Sequence, residues 1–517
     1  MVVAVVLASA LRARSAHDYG AATPGTARGE SGILALATYD GAIPDDTILL
    51  EQLDKAIDLR RRESFDRVLD AREPGELIEH ATLTDIDFDH RNLGIDTLFV
   101  VGDELFGYLF RPENGWGSGG ADRTAVGFTP RPNRVHHGRT GGPDAFGCFS
   151  CHSKGGPDGA GTQTQNAFLR GDGERVATAD QRNPPQMLGL GPVAALAQEM
   201  TADLHAQASA IADRARADGR RVEGELATKG VAFGRVAASA DGTLDTNGVD
   251  GVDADLTVRP FGWKGHQATL RDIAEESLHI HAGLLSKRAQ LGIRDGTVDP
   301  ASFGTGRWDD VDNDGVSLEI DEGMLATVVA YLSQLEVPIV RPPRDPAMLD
   351  AFAAGRVTFE RIGCAGCHVP ALELEDPKLD ARAPHPDGDA RPPFWVDVAK
   401  DGDGPKIEPK YGGRTTTYLV HLFSDLKRHD MGPALTSGAA EGTIPASTFL
   451  TRPLWGLADT APYLHDGRAP TIHEAVVLHG GEAAAARDAY LALDDDGRAS
   501  VRVFLASLAR QSKLFVP

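Results

Sequence analysis

The stretch FAAGRVTFERIGCAGCH, residues 352–368, decides how this chain is read. It joins a lead-in with helical spacing, in which Phe352, Val357, Phe359 and Ile362 can line one packing face, to two thiols followed at once by a histidine. Cys364 and Cys367 lie three residues apart, on one helical turn, and so reach both vinyl groups of a haem. His368 then places an imidazole under the iron, and the tether holds that bond in position. The same motif stands at Cys148-Phe149-Ser150-Cys151-His152, set in glycine-rich flanks. Together the two motifs use all 4 cysteines, leaving none for a structural disulfide. A zinc or redox Cys-x-x-Cys site is the alternative. Zinc would use pooled cysteines, but it does not require a histidine directly after each pair. The expectation is two covalently bound c-type haems.

Composition bounds the rest. The 517 residues correspond to two to four domains at about 150 residues each. Lys and Arg total 52 against 75 Asp and Glu, a net charge of −23. That excludes a nucleic-acid partner, which needs clustered cations. It suits a small basic redox donor, although an acidic surface also serves solubility. No apolar run reaches the ~18 residues of a transmembrane helix. Covalent haem attachment takes place outside the bacterial cytoplasm, so the expected location is periplasmic or secreted. Val2–Leu11 resembles the apolar part of a signal peptide that lacks its basic lead. Residues 1–30 are therefore expected to be a truncated signal and a loose N-terminus, the alternative being an ordinary strand.

Along the chain, residues 47–72 show helical spacing. Phe99-Val100-Val101 and Leu105–Phe110 read as short strands, and 111–160 as loop. Helices are expected at 193–217, 268–288 and 322–336, the last ended by Pro338. Turns and short strands fill 219–258, and 371–412 is loop-rich. Arg341-Pro342-Pro343-Arg344 reads as a linker, followed by a helix from Pro346 into the second motif and by helices at 471–479 and 483–511. The expected fold is mainly α: two cytochrome c-like haem domains with long loop insertions and minor β. Residues 31–340 would form an N-terminal haem domain with insertions, and 345–517 a C-terminal cytochrome c-like haem domain.

Further motifs follow in a set order. They are Arg182-Asn183-Pro184-Pro185, Arg259-Pro260-Phe261-Gly262-Trp263-Lys264-Gly265, His429-Asp430-Met431-Gly432 and Arg452-Pro453-Leu454-Trp455-Gly456. Ala461-Pro462-Tyr463-Leu464-His465-Asp466-Gly467-Arg468 closes the series. Over residues 140–485 this order resembles the bacterial di-haem cytochrome c peroxidase superfamily. It is most similar to the CxxC di-haem oxidoreductases, also termed thiol oxidoreductase-like proteins. The methylamine-utilisation di-haem enzyme and the di-haem rubber oxygenases belong to the same superfamily. Residues 1–130 lie outside the resemblance.

The resemblance implies site residues. In the peroxidases a distal ligand, usually Met, follows the His-Asp-Gly histidine by fourteen residues, which from His465 gives His479. The second haem is then expected to be bis-histidine, His368 and His479. A closed iron of that kind passes electrons and binds no substrate. The local sequence offers a plainer alternative, a cationic histidine at the end of helix Thr471–Leu478, and Met431 is a rival ligand. His465 is assigned to a haem propionate or a neighbour. Trp263 matches the tryptophan between the haems, and a core role is its alternative. The peroxidases' distal Gln and Glu, ten and twenty residues further on, are here Ile273 and Gly283. Glu275, Glu276, His279 and His281 lie near, and Glu276 and His279 are the catalytic candidates with Trp263, since peroxide chemistry needs a base to move a proton between the two oxygens.

The implied function is an oxidoreductase. Its open His152 haem would act on peroxide or O2 with electrons drawn through the other haem. A non-enzymatic electron-transfer protein with both haems six-coordinate is the alternative, and an oxygenase acting on a hydrophobic polymer is a third reading. Separately, Asp310, Asp312, Asp314 and Asp321 occupy positions 1, 3, 5 and 12 of a calcium-type loop, with Gly315 at the sharp turn. An acidic turn capping the next helix is the alternative.

Overall fold

Two close helix crossings organise the protein. In a computed structural model, residues 95–111, 114–117, 144–156, 158–169, 176–299, 307–311, 315–317, 319–320, 322–381, 395–402, 404–412 and 415–511 are described. Up to Arg510 these residues belong to one compact unit, Arg67–Arg510. The expectations for residues 1–30, for a helix at 47–72 and for most of the loop after 111 lie outside the described residues.

In chain order the elements are α1 (Ile95–Gly107), β1 (Ala167–Leu169), β2 (Asp180–Arg182), α2 (Leu190–Asp218), β3 (Val222–Thr228), β4 (Val231–Ala238), β5 (Leu244–Asp245), α3 (Leu270–Ser277), α4 (Lys287–Arg294), α5 (Glu322–Gln334), β6 (Ile339–Val340) and α6 (Pro346–Arg361). Then come β7 (Leu372–Leu374), β8 (Lys378–Asp380), β9 (Trp395–Asp397), β10 (Glu408–Gly412), β11 (Thr415–Val420), β12 (Arg428–Asp430), β13 (Thr448–Leu450), α7 (Ile472–Val477), α8 (Ala484–Leu491), α9 (Asp495–Leu505) and β14 (Leu508–Ala509). A π-helical turn, Leu278–Ala282, continues α3.

The expectation of a mainly α chain is corrected. Among the described residues helix accounts for 38% and strand for 18%. The strands form six small antiparallel sheets, of which β3-β4-β5 and β10-β11-β7 have three strands. Several of these strands fall in 371–412, where each run is too short and too polar to alternate visibly. The strands expected at 99–101 and 105–110 are instead α1 through Gly107. Leu98, Val101, Leu105 and Phe106 are buried on one face, at a helical period that a short apolar run disguises.

α1 lies on α5, and the two approach at Gly102, where a Cβ would overlap the Thr327 carbonyl oxygen and the Tyr331 side chain. These helices share the larger core with α2, whose buried face runs from Leu190 to Ala215. α6 lies on α9 in the same way, with Gly355 facing the Ser500 carbonyl. Phe359, Phe423, Tyr490, Val501, Phe504 and Leu505 form a second core there. Asp345 caps α6 by accepting the Met348 N–H at 3.1 Å, with Pro346 in the first turn. Burying about ten such apolar side chains stabilises by roughly 1.5–3 kcal/mol each before entropy is counted.

A buried guanidinium ties distant segments together. Arg510 donates to Glu336 at 2.6 Å and to the Gly155 carbonyl at 3.2 Å, while its own N–H reaches the Asp459 carboxylate at 2.7 Å. No described helix is long and apolar enough to cross a membrane.

The α6–α9 crossing generates a prediction. Gly355→Val forces these helices apart and is expected to destabilise by about 1–3 kcal/mol or more, read as a lower thermal midpoint. Gly107→Ala meets open space and is expected to change stability by less than about 1 kcal/mol. Equal midpoints for the two variants would refute the packing account.

Candidate functional site

Each Cys-x-x-Cys-His motif folds as a tight turn that opens onto a cavity. Cys148–Ser150 is a single 3-10 turn, and the Cys151 and His152 N–H groups both donate to the Cys148 carbonyl at 3.1 Å. Cys364–Gly366 repeats this after α6, with the His368 N–H donating to the Cys364 carbonyl at 3.0 Å. Burial pushes the Cys148 thiol up to about 12 and the Cys364 thiol up to about 11. A redox Cys-x-x-Cys pair needs the opposite, a depressed thiol pKa. The zinc alternative also lacks support. Among the described residues, the group of three or more ligating side chains within 4.8 Å of one another is Cys367, Asp425 and His429, so the four cysteines do not converge.

The second cavity holds the most specific geometry. His368 bonds the Phe423 carbonyl through Nδ1 at 3.1 Å, and His479 bonds the Ala475 carbonyl through Nδ1 at 2.8 Å. A ring fixed through Nδ1 presents Nε2 for ligation. The two rings face each other at 6.5 Å between centroids, with planes 51° apart. A metal–imidazole bond is about 2 Å and a ring nitrogen lies roughly 1.1 Å from its ring centre, so imidazoles on opposite faces of one iron stand about 6.2 Å apart. Burial lowers the pKa of His368 to about 4, and lowers that of His479. Both rings are therefore neutral, as ligands must be. A cationic cap for α7 would have needed the opposite shift at His479. The helix is positioned by a capping box, Thr471 with Glu474, and the Arg487 guanidinium donates to the His479 carbonyl at 2.9 Å.

His429 stands on the same wall, between Asp425 at 2.8 Å and Glu482 at 2.7 Å. Burial opposes its charge, but bonds to Asp425, Cys367 and Glu482 push its pKa up to about 11. Met431 also lines this cavity. His465 stacks on Phe449 at 4.5 Å and is kept neutral by burial, its pKa near 4.

The first cavity is lined by Phe106, Cys148, Cys151, His152, Ile273 and Ala274, among others. His152 contacts the Gly159 carbonyl through Nδ1 at 3.3 Å, and burial lowers its pKa to about 4. On the same wall Glu276 bonds His266 at 2.7 Å and accepts from Gln267 at 3.1 Å. His281 bonds Asp144 at 3.0 Å. Burial works against the charged form of both imidazoles, yet the paired carboxylates leave both pKa values raised. Arg182 and Glu441 add an ion pair at 2.5 Å.

Of the catalytic candidates, the structure places Glu276 and Trp263 on this wall, and His279 on neither cavity's wall. The π-helical turn points Ile280 and His281 inward in its place. Glu275 turns away to Ser286 and Arg288. Sequence reasoning missed His266 and Glu441 as wall residues. His266 directly follows the Phe-Gly-Trp-Lys-Gly motif, a usable signal, whereas Glu441 arrives from 175 residues further on (441 − 266). In the acidic loop, Asp310 accepts the Gly315 N–H at 3.2 Å. Asp312, Asp314 and Asp321 lie outside the described residues.

The cavities share a wall. Asn183, Pro184, Pro185, Gln186, Trp263 and Arg452 line both. The Trp263 indole N–H donates to the Asn183 carbonyl at 2.7 Å, and the Arg452 guanidinium lies over its ring at 5.6 Å. Lys264, fully buried, donates to the carbonyls of Pro445, Ala446 and Thr448 at 2.8, 2.6 and 3.0 Å. These bonds hold the strand that carries Phe449 and Leu450 into the second cavity.

Residues 394–508 match the family described as "Di-haem oxidoreductase, putative peroxidase". A search of curated proteins found no match. Among solved structures, the chain is similar to a hydrazine synthase of Kuenenia stuttgartiensis at 18% identity and a TM-score of 0.21, covering 37% of this chain and 57% of that one. It is also similar to a MauG-like protein associated with microbial copper homeostasis, at 17% identity and a TM-score of 0.25, covering 54% and 79%. The chain thus spans little more than half of the hydrazine synthase chain. The match over 394–508 bears out, for that segment, the resemblance to di-haem oxidoreductases carried by the motifs.

Proposed function

We propose that the protein is a di-haem c-type cytochrome oxidoreductase of the periplasm or the secreted fraction. In this reading His368 and His479 close the iron of the second site for electron transfer, while the His152 site takes peroxide or O2. The observation that carries it is the pair of neutral imidazoles facing each other at 6.5 Å in the second cavity. In the first cavity the other imidazoles, His266 and His281, each bond a carboxylate and have raised pKa values, so a proton competes with any metal for them.

Haem bound at the two sites would supply one-electron chemistry and, at the first, reaction with a small oxidant. The chain's own residues do the rest. Cys148 and Cys151, and Cys364 and Cys367, tether the rings. The Glu276–His266 pair holds a proton at the first cavity, where a peroxide would need one moved between its oxygens. Trp263 stands in the wall common to both sites and shortens the path for an electron passing between them. The net charge of −23 favours a small basic redox protein as donor.

A six-coordinate electron-transfer protein is the competing reading. His281 favours it: it shares the cavity with His152 and spends Nδ1 on Asp144, as a ligating imidazole spends its second nitrogen. Carbon monoxide distinguishes the two. The reduced protein is expected to bind one equivalent and the oxidised protein to show one high-spin and one low-spin haem by electron paramagnetic resonance. A fully low-spin protein inert to carbon monoxide would establish the competitor. His479→Ala is expected to abolish the low-spin signal and raise carbon monoxide binding from one equivalent to two.

The proton-holding role has a pH signature. His266 has a pKa above its ordinary value because Glu276 and Glu441 oppose the effect of burial. Its imidazolium therefore persists above pH ~6.5 and is lost only as pH rises through the raised value. Glu276→Gln removes that support, so the alkaline limb of the pH–rate profile is expected to move to lower pH. An unmoved limb assigns the proton to another group.

A further inference from the structure

We propose that Arg452 is a shared carboxylate anchor between the two sites, holding propionates of both haems and thereby raising both redox potentials. This rests on the two-haem reading above. The argument starts from an imbalance of charge. The guanidinium is half-buried and lines both cavities. Burial alone pulls its pKa down to about 10, with no carboxylate acting to restore it. Among the described residues it forms no ion pair. Arg182, its neighbour on the same wall, is paired with Glu441, and Lys427 and Arg428 nearby are paired with Asp250 and Asp253.

A guanidinium carries five N–H donors in a rigid fork. Arg452 uses one in a long bond to the Gly262 carbonyl, 3.4 Å, and rests a face on Trp263. A half-buried guanidinium with one long hydrogen bond and no carboxylate partner is set to receive an anion from the cavities it lines, and its fork matches a carboxylate best. A haem brings two carboxylates at one edge, and Arg452 is placed where edges from both cavities can meet it. Lys264, another cation of this region, is already satisfied by three carbonyls, which leaves Arg452 as the anchor. A cation bound to haem carboxylates favours the reduced, more negative state. Its loss therefore makes both potentials more negative.

The test is a spectroelectrochemical titration of the holoprotein and of R452M, R452Q and R452K. Haem content and the low-spin signal are measured first, since two haems and a bis-histidine signal in the wild type test the earlier reading by themselves. With both haems retained, R452M is expected to shift both midpoint potentials negative. R452K, which keeps the charge without the fork, is expected to recover most of that shift. Should R452M fail to retain both haems, R452Q against R452K makes the same comparison. Wild-type potentials in a neutral variant, or a shift confined to one haem, would overturn the shared anchor. Added formate separates the carboxylate's source. Wild-type potentials are expected to ignore it, and potentials that follow formate concentration would assign Arg452 to a free anion instead.

Discussion

An imidazole is a useful metal ligand only when one nitrogen is fixed and the other is bare, and both cavities are built around that constraint. His152, His368 and His479 each spend Nδ1 on a backbone carbonyl, of Gly159, Phe423 and Ala475 respectively. Burial then removes the competing proton from all three. The carbonyl that receives His368 belongs to Phe423, a residue at φ +56, in the left-handed region that disfavours side chains by roughly 1–2 kcal/mol. The second core sustains that conformation, since the Phe423 ring packs edge-on against Phe359 and Phe504. The α6–α9 crossing thus supports the carbonyl that holds His368 as well as the fold.

Charge is distributed unevenly around these neutral rings. The first cavity carries paired acids and bases, Glu276 with His266 and Asp144 with His281, whose carboxylates raise the pKa of both imidazoles. The second carries apolar residues and one locked imidazolium, His429. Between them the shared wall is rigid. Trp263 is pinned through its indole N–H, and Lys264 immobilises the neighbouring strand through three carbonyls. Pre-set groups of this kind need no rearrangement when charge moves, and fixed dipoles act most strongly in such a setting.

The two Cys-x-x-Cys-His motifs were legible because their residues are contiguous, and the helix before His479 was legible because α7 is short and well capped. Long helices such as α2 and α5 announced themselves by period. What stayed hidden depends on contacts across the chain. Phe99-Val100-Val101 and Leu105–Phe110 read as strands because a run of valine, leucine and phenylalanine favours either structure until its partner is known. Strands β7 to β11 are three to six residues long and pair across loops, too short for an alternating pattern. His279 was the candidate on a helix expected to run over 268–288. The π-helical turn at Leu278–Ala282 shifts the phase and brings His281 inward. Glu441 reaches the first cavity from a turn that nothing in its local sequence marks.

The Arg510 contacts bear on how the protein is made. This residue bonds Gly155, in the loop just after the first motif, across a separation of 355 positions. During synthesis that loop therefore stays without its final brace until almost all of the described chain has emerged. The second motif and the helix that leads into it, α6, emerge 142 or more residues before Arg510 (510 − 368). The loop that follows Cys148 and Cys151 thus gains this brace only when a segment 355 positions away has folded against it.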